Sequence, residues 1–287
     1  MKLFVTDLDG TLLNSAHKLS DFSLQALNKA MAEGVPLCIA TGRSYHDILD
    51  ILKDLKEMPY IISSNGASVY DKDGNKMYSV AIEKDQIRAI ITYLQGQKLQ
   101  FEVADDEYSY TTKEALANLK QELEDVGTVD THKQKDLENN TLGLVLSQKN
   151  LKVVEDIDTL LSMIEETNNI SSMSAYLNKI QKAMEYFTMD KRLRTFSSWK
   201  YNFEMTSRET SKGIALKSLC AHLEISLQDV AAIGDNYNDL SMLKVAGMPA
   251  AMANAVDHVK SIASYQAKSN DEDGAVRYLY HLLGKPL

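Results

Sequence analysis

A doubly wound α/β domain carrying a second αβ domain as an insert is the fold class the sequence predicts. Three observations predict it. Short apolar runs recur, and each stops at a polar cluster, as Leu3 to Thr6 stops at Asp7-Leu8-Asp9-Gly10. Helical spacing separates the runs, and this alternation marks a parallel sheet with covering helices. The alternation lapses from about residue 83 to residue 207 and then resumes, in a chain whose 287 residues exceed the usual reach of one core.

The elements follow in order. After the first strand, Leu24, Leu27 and Met31 have helical spacing, and Gly34-Val35-Pro36 marks a turn. A second strand, residues 37–40, ends at Thr41-Gly42-Arg43. A helix then carries Ile48, Leu49, Leu52 and Leu55, and a third strand, 60–62, ends at Ser64-Asn65-Gly66. Two apolar stretches around Asp71-Lys72-Asp73-Gly74-Asn75 predict a hairpin. Within the insert, Ile87, Ile90, Ile91 and Leu94 form a helical stripe. There, 142–146 reads as a strand, 153–164 as a helix, and 195–199 and 201–205 as strands. After Ser211 a helix is expected over 212–223, a strand over 230–233 ending at Gly234-Asp235-Asn236, and a helix with Leu240, Leu243 and Val245.

Composition narrows the function classes. Hydrophobic residues at 44% and charged residues at 25% are ordinary for a globular protein. The net charge of −9 comes with scattered basic residues, so the footprint that nucleic acid requires is missing. No run of about 18 apolar residues exists to cross a membrane, and the N-terminal run is too short for a signal peptide. A cytoplasmic protein is expected, with Asn139-Asn140-Thr141 a glycosylation acceptor by letters only. Cys38 and Cys220 read as small buried hydrophobes rather than a disulfide framework. An anionic substrate would need a local cation.

Open α/β sheets bind ligands beyond the carboxyl ends of their strands, so Asp7/Asp9, Thr41/Gly42/Arg43 and Asp235/Asn236 can share one site. Any one cluster alone would also fit strand-ending turn chemistry. The acids argue for more. If Asp7, Asp9 and Asp235 approach to about 4 Å, each pair costs roughly 4 kcal/mol at an effective dielectric near 20. Protonation or a bound cation must relieve that, and all-oxygen ligands favour magnesium. Lys212 is expected at a helix start, where a cation opposes the dipole unless an anion sits nearby. Thr41 and the amide of Gly42 would supply donors to such an anion.

These residues together resemble a known family. Asp7-Leu8-Asp9-Gly10-Thr11, Ala40-Thr41-Gly42-Arg43, Ser211-Lys212-Gly213 and Gly234-Asp235-Asn236-Tyr237-Asn238-Asp239 are similar to the four ordered motifs of the haloacid dehalogenase superfamily. The resemblance is greatest to its Cof-like sugar-phosphatase branch, to which Ser64-Asn65-Gly66-Ala67 and Ser269-Asn270-Asp271-Glu272-Asp273-Gly274 are also similar. It implies a Rossmann-like catalytic core over 1–82 and 208–287, with an αβ cap over 83–207 that closes on substrate. It implies a phosphatase that hydrolyses small phosphorylated metabolites with Mg2+. Asp7 would attack phosphorus, and Asp9 would protonate the leaving oxygen and then deprotonate water. Thr41, Lys212 and Asn238 would hold phosphoryl oxygens, with the backbone of Leu8, Gly10 and Gly42. Asp7, the carbonyl of Asp9 and Asp235 would hold the metal, with Asn236 and Asp239 behind them. Thr11, Arg43, Asn65 and Asn270 would support the site. Met248-Pro249 departs from the family, where a glycine is common.

A phosphomutase shares the resemblance, and a phospho-accepting regulator could use similar groups. Asp9 two residues after Asp7, and the long insert, count against the regulator. The absence of spanning segments counts against a phosphorylated ion pump. The six histidines lack ligand spacing and read as structural or surface groups. Asp105-Asp106-Glu107 reads as a solvated turn, or one facing substrate. Tyr108, Tyr110, Trp199 and Tyr201 could stack on a sugar but fit core packing better, and Arg43 could pair locally or touch substrate. Substrate identity and oligomeric state have no sequence signal.

Overall fold

The computed structural model describes residues 1–285 other than Asp106, Lys149 and Ser198. The chain divides into two compact units, Met1–Val80 with Glu209–Leu287, and Ala81–Arg208.

The first unit is built on an eight-stranded sheet. Its order is Tyr265–Gln266, Met248–Ala251, Val230–Gly234, Leu3–Thr6, Leu37–Ala40, Tyr60–Ser63, Ser68–Tyr70, Lys76–Ser79. The first six strands pair in parallel and the last two antiparallel. Leu3–Thr6, Leu37–Ala40 and Val230–Gly234 are buried at every position, so they read as apolar runs without alternation. Helices cover them: the Phe4 and Tyr278 rings lie 6.1 Å apart, and Tyr280 of the same C-terminal helix, Gly274–Leu283, donates to the Ala26 carbonyl at 3.2 Å. The expected hairpin is present, with Asp71 Oδ1 accepting the amides of Asp73 and Asn75 at 2.9 and 2.8 Å.

Strand order reverses between Leu3–Thr6 and Val230–Gly234. The chain proceeds outward in one direction from the first of these and in the other direction from the second. Such a switch point opens a crevice at the strands' carboxyl ends. Asp7 and Asp235 each stand one residue past these two strands.

The second unit carries a six-stranded sheet ordered Leu193–Phe196, Asn202–Ser207, Asn169–Met173, Gln100–Ala104, Ser109–Thr112, Leu151–Val154. The stripe of Ile87, Ile90, Ile91 and Leu94 is buried against Phe101, Val103, Ile170, Phe203 and Met205 from this sheet. Two expectations fail here. Residues 142–146 lie in a helix, Leu142–Ser147, because Leu142 and Val145 three apart reach a second apolar cluster with Leu137. Apolar runs this short do not separate strand from helix by pattern alone. Residues 153–164 are not one helix. Leu151–Val154 is a strand parallel to Ser109–Thr112, and the helix starts at Ile157, where Asp156 accepts the Thr159 amide at 2.7 Å.

The aromatics of this unit pack within it. Tyr110 is in the main cluster, Tyr201 in the second, Trp199 lies 4.9 Å from Tyr201, and the Lys152 ammonium sits 3.2 Å from the Tyr108 ring centre. Asp105 accepts the amides of Glu107 and Tyr108 at 2.7 and 2.6 Å, while Asp106 of that turn lies outside the described residues.

One close approach fixes the helix that bears Lys212. Gly66 has φ +99°, and a Cβ there would lie 2.3 Å from the Ser211 carbonyl oxygen and 2.9 Å from the Lys212 nitrogen. Both are backbone atoms, so relief requires moving the helix start. Gly66→Ala is expected to cost about 3 kcal/mol from overlap and left-handed strain, lowering Tm by roughly 6–12 °C. Thermal unfolding of the variant checks this, and an unchanged Tm contradicts the packing described.

Candidate active site

The strand Leu3–Thr6 delivers Asp7 into the crevice, and the Asp7 amide still bonds to Ile233 O at 3.1 Å. Gly10 stands against the neighbouring strand end. Its φ is +75°, and a Cβ would fall 2.4 Å from Asp235 Oδ2, so only glycine leaves that oxygen its place. The third acid of the cluster is Asp239, four residues beyond Asp235 on a short turn. One carboxylate oxygen from each of Asp7, Asp235 and Asp239 lies within 4.8 Å of the others.

This corrects the expected crowding of Asp7, Asp9 and Asp235. The Asp9 carboxylate turns to Arg43, which donates Nε to Oδ2 and Nη2 to Oδ1, both at 2.7 Å, while His17 Nδ1 lies 3.2 Å from Oδ1. His17, read from the sequence as a structural or surface group, is exposed and pairs with Asp9. It does so through a left-handed backbone, φ 56°, that spacing does not reveal. Burial would raise the Asp9 pKa, but the Arg43 guanidinium outweighs it and holds the carboxyl below its ordinary value.

Lys212 is the first residue of the helix Lys212–His222, whose N-cap Ser211 accepts the Ile214 amide at 3.1 Å. Its ammonium is 1% exposed and donates to Asp7 Oδ1 and Asp239 Oδ1, each at 2.6 Å. Those two carboxylates explain a cation at a helix N-terminus better than the dipole forbids it. Burial alone would lower the Lys212 pKa, but Asp239 and Asp7 outweigh burial and hold it protonated.

The remaining oxygens are unequally used. Asp239 Oδ2 accepts the amides of Asp235 and Asn236 at 2.9 and 3.0 Å, so Asp239 is committed to the protein through both oxygens. Thr11 donates to Asp235 Oδ1 at 3.1 Å. Among the described residues, Asp7 Oδ2 and Asp235 Oδ2 have no protein donor. Asn236 Oδ1 accepts the Tyr237 amide at 2.8 Å and caps the turn. Thr41 is buried at the end of its strand, and its hydroxyl accepts the Arg43 amide at 3.2 Å. Asn238 donates to Asn65 Oδ1 at 3.0 Å, and Gly42 lies beside Asn65. Asn270 donates to Leu13 O at 2.9 Å. Leu8 is buried in the core, and its carbonyl accepts the amides of Thr11, Leu12 and Leu13, which sets the turn after Asp7. Asn254, which sequence reasoning passed over, donates to Gly10 O at 2.7 Å.

Three carboxylates gather here, and the ammonium bonds to two of them. Burial pushes Asp7 up to about 8, repulsion from Asp239 and Asp235 adds to it, and Lys212 opposes it. Burial and Asp239 likewise push Asp235 up to about 6. An oxygen-only donor set with two unclaimed carboxylate oxygens fits a hard divalent cation. Such a cation would compete with the proton, so its affinity rises with pH.

The chain's likeness to known proteins agrees with this arrangement. A family model described as haloacid dehalogenase-like hydrolase matches residues 4–279. The phosphatase YwpJ of Bacillus subtilis (strain 168) is 33% identical over 285 residues, covering 99% of this chain and 100% of that protein. The 5-amino-6-(5-phospho-D-ribitylamino)uracil phosphatase YwtE of the same organism is 32% identical over 283 residues, covering 99% and 98%. A solved haloacid dehalogenase-like hydrolase from B. subtilis superposes with a TM-score of 0.81 at 33% identity, covering 98% of this chain and all of that one.

The raised acids make a pH prediction. Folded Asp7 and Asp235 bind protons more tightly than unfolded carboxyls, so their contribution is present below about pH 4 and is lost as pH rises toward 8. In chelator, Asp7→Asn is expected to melt about 2–6 °C above the parent protein at pH 8, with the gap closing toward pH 4. Melting curves across that range check it, and a gap independent of pH contradicts it.

Proposed function

This chain belongs to the haloacid dehalogenase-like hydrolase family, and we propose that it is a magnesium-dependent phosphatase acting on small phosphate monoesters, sugar phosphates or related metabolites. The observation that carries the reading is the state of Asp7. One of its oxygens is fixed by a buried ammonium at 2.6 Å, and the other has no protein donor among the described residues, beside the switch point of the sheet. A carboxylate held so is placed to attack, and covalent catalysis divides a hard hydrolysis into two easier steps.

In the first step an Asp7 oxygen forms a bond to phosphorus while the bond from phosphorus to the ester oxygen breaks. The departing alcohol takes its proton from Asp9. In the second step water attacks the same phosphorus, Asp9 receives the water's proton, and inorganic phosphate leaves as Asp7 is regenerated. The Arg43 guanidinium favours the ionised form of Asp9, whereas the first step uses its protonated form. Without a cation the surroundings favour a protonated Asp7 and an ionised Asp9, and a bound divalent ion would favour the Asp7 carboxylate that the attack requires. Lys212, Thr41, Asn238 and the backbone at Leu8, Gly10 and Gly42 would hold the phosphoryl oxygens.

Asp7, Asp235 and the Asp9 carbonyl would hold the magnesium ion, with Asn236 and Asp239 supporting. When bound, it offsets charge on the transferring group, which dominates phosphoryl transfer. The relatives' designation as phosphatases supports the same reading.

The test is phosphate release from a generic monoester with magnesium present or chelated. Release is expected only with the metal, and Asp7→Asn should lower kcat about 1,000-fold or more. Normal turnover by that variant sinks the assignment of nucleophile. Isomerisation of a sugar phosphate without free phosphate would instead identify a phosphomutase.

A further inference from the structure

We propose that Asn254 and Asn270 are positioning residues for the loop that follows the nucleophile, orienting Gly10 and Thr11 against Asp235. The kinetic consequence rests on the phosphatase reading, whereas the structural consequence does not.

Residues 10–20 contain no helix or strand, so hydrogen bonds and the burial of Leu12 and Leu13 set their shape. The tip closes on itself. Asn14 Oδ1 accepts the amides of Ala16 and Lys18 at 3.0 and 3.1 Å, and the Asn14 carbonyl accepts that of His17 at 2.9 Å. At the root, Leu8 O accepts the amides of Thr11, Leu12 and Leu13 at 3.1, 3.0 and 2.9 Å. Neither set ties the loop to the rest of its unit.

Burial of Leu12 and Leu13 in the core and the Thr11 bond to Asp235 hold part of the loop, and its remaining polar ties come from the segment between the strand Met248–Ala251 and the helix Gly274–Leu283. Asn254 Nδ2 donates to Gly10 O at 2.7 Å, and Asn254 Oδ1 accepts the Asn270 amide at 3.1 Å. Asn270 Nδ2 donates to Leu13 O at 2.9 Å. Farther along, Asp271 Oδ1 accepts the Ser15 amide at 2.8 Å, and Asp273 Oδ1 accepts the Ser23 hydroxyl at 2.9 Å. The Asn254 amide has only one workable orientation, because one end meets a backbone carbonyl and the other a backbone N–H.

The bond to Gly10 matters for chemistry because glycine resists peptide rotation least of all residues. The Gly10 carbonyl belongs to the peptide that leads into Thr11, and the Thr11 hydroxyl holds Asp235 Oδ1 at 3.1 Å. Without Asn254 that peptide keeps only the Thr11 N–H bond to Leu8 O, at 3.1 Å, and can shift the Thr11 hydroxyl and the Gly10 backbone relative to Asp235. Asn254 is exposed and Asn270 half-buried, so neither owes its place to core packing. A misplacement of about 1 Å at such a centre can cost on the order of 100-fold in rate.

Asn254→Asp separates the two bonds, since a carboxylate still accepts from the Asn270 amide but cannot donate to Gly10 O. The experiment compares Asn254→Ala, Asn254→Asp and Asn270→Ala with the parent protein. It measures kcat and KM for p-nitrophenyl phosphate with magnesium, and amide hydrogen exchange over residues 10–18. Expected for all three are a kcat lower by about 10-fold or more, KM within about twofold, and exchange faster by about 10-fold. Parent-like kcat in Asn254→Asp overturns the positioning role, as does unchanged exchange in the alanine variants. A parent protein that releases no phosphate sinks the phosphatase reading instead, and the exchange comparison still decides this inference.

Discussion

The buried ammonium of Lys212, bonded to Asp7 and Asp239, is the interaction on which the site depends. Three carboxylates gathered at one crevice repel one another strongly, and a buried cation bonded to two of them offsets part of that repulsion. The lysine reaches this place because its helix begins against Gly66, where no side chain keeps the backbones apart. The packing of a tight turn and the charge of a catalytic centre are therefore one problem with one solution.

From that pair outward, the acids have separate duties. Asp239 gives both oxygens to Lys212 and to two backbone amides, so it shapes the turn and fixes the ammonium. Among the described residues, Asp7 and Asp235 each keep one oxygen without a protein donor, at adjoining strand ends of the switch point. Asp9 is drawn to Arg43 and His17. Burial raises the pKa of Asp7 and Asp235, whereas Arg43 lowers that of Asp9. Position along the chain says little about these differences, since Asp7 and Asp9 are two residues apart.

Much of the core fold was legible because its strands are buried on both faces and stop at turn-forming polar residues. Leu3–Thr6, Leu37–Ala40 and Val230–Gly234 announce themselves as apolar runs, and the clusters after them mark where a site can form. The insert was less legible. Leu142–Ser147 is too short for its period to show, and Asp156 starts a helix inside a stretch that reads as continuous. Within the site, residue types were visible while side-chain directions were not. Asp9 turns to Arg43, and Asp239 is held beside Asp7 by Lys212 and two backbone amides. The contact of His17 with Asp9 depends on a left-handed residue, and that of Asn254 with Gly10 on chain brought from 244 residues away. These are consequences of tertiary closure, which local pattern does not encode.

The most direct test of Asp7 as nucleophile is to trap the covalent intermediate. The protein is mixed with a phosphate monoester and magnesium, quenched in acid within milliseconds and reduced with borohydride, which converts an acyl phosphate on aspartate to homoserine. Peptide mass analysis should find homoserine at position 7. Conversion at another carboxylate, or turnover with none, would contradict the account.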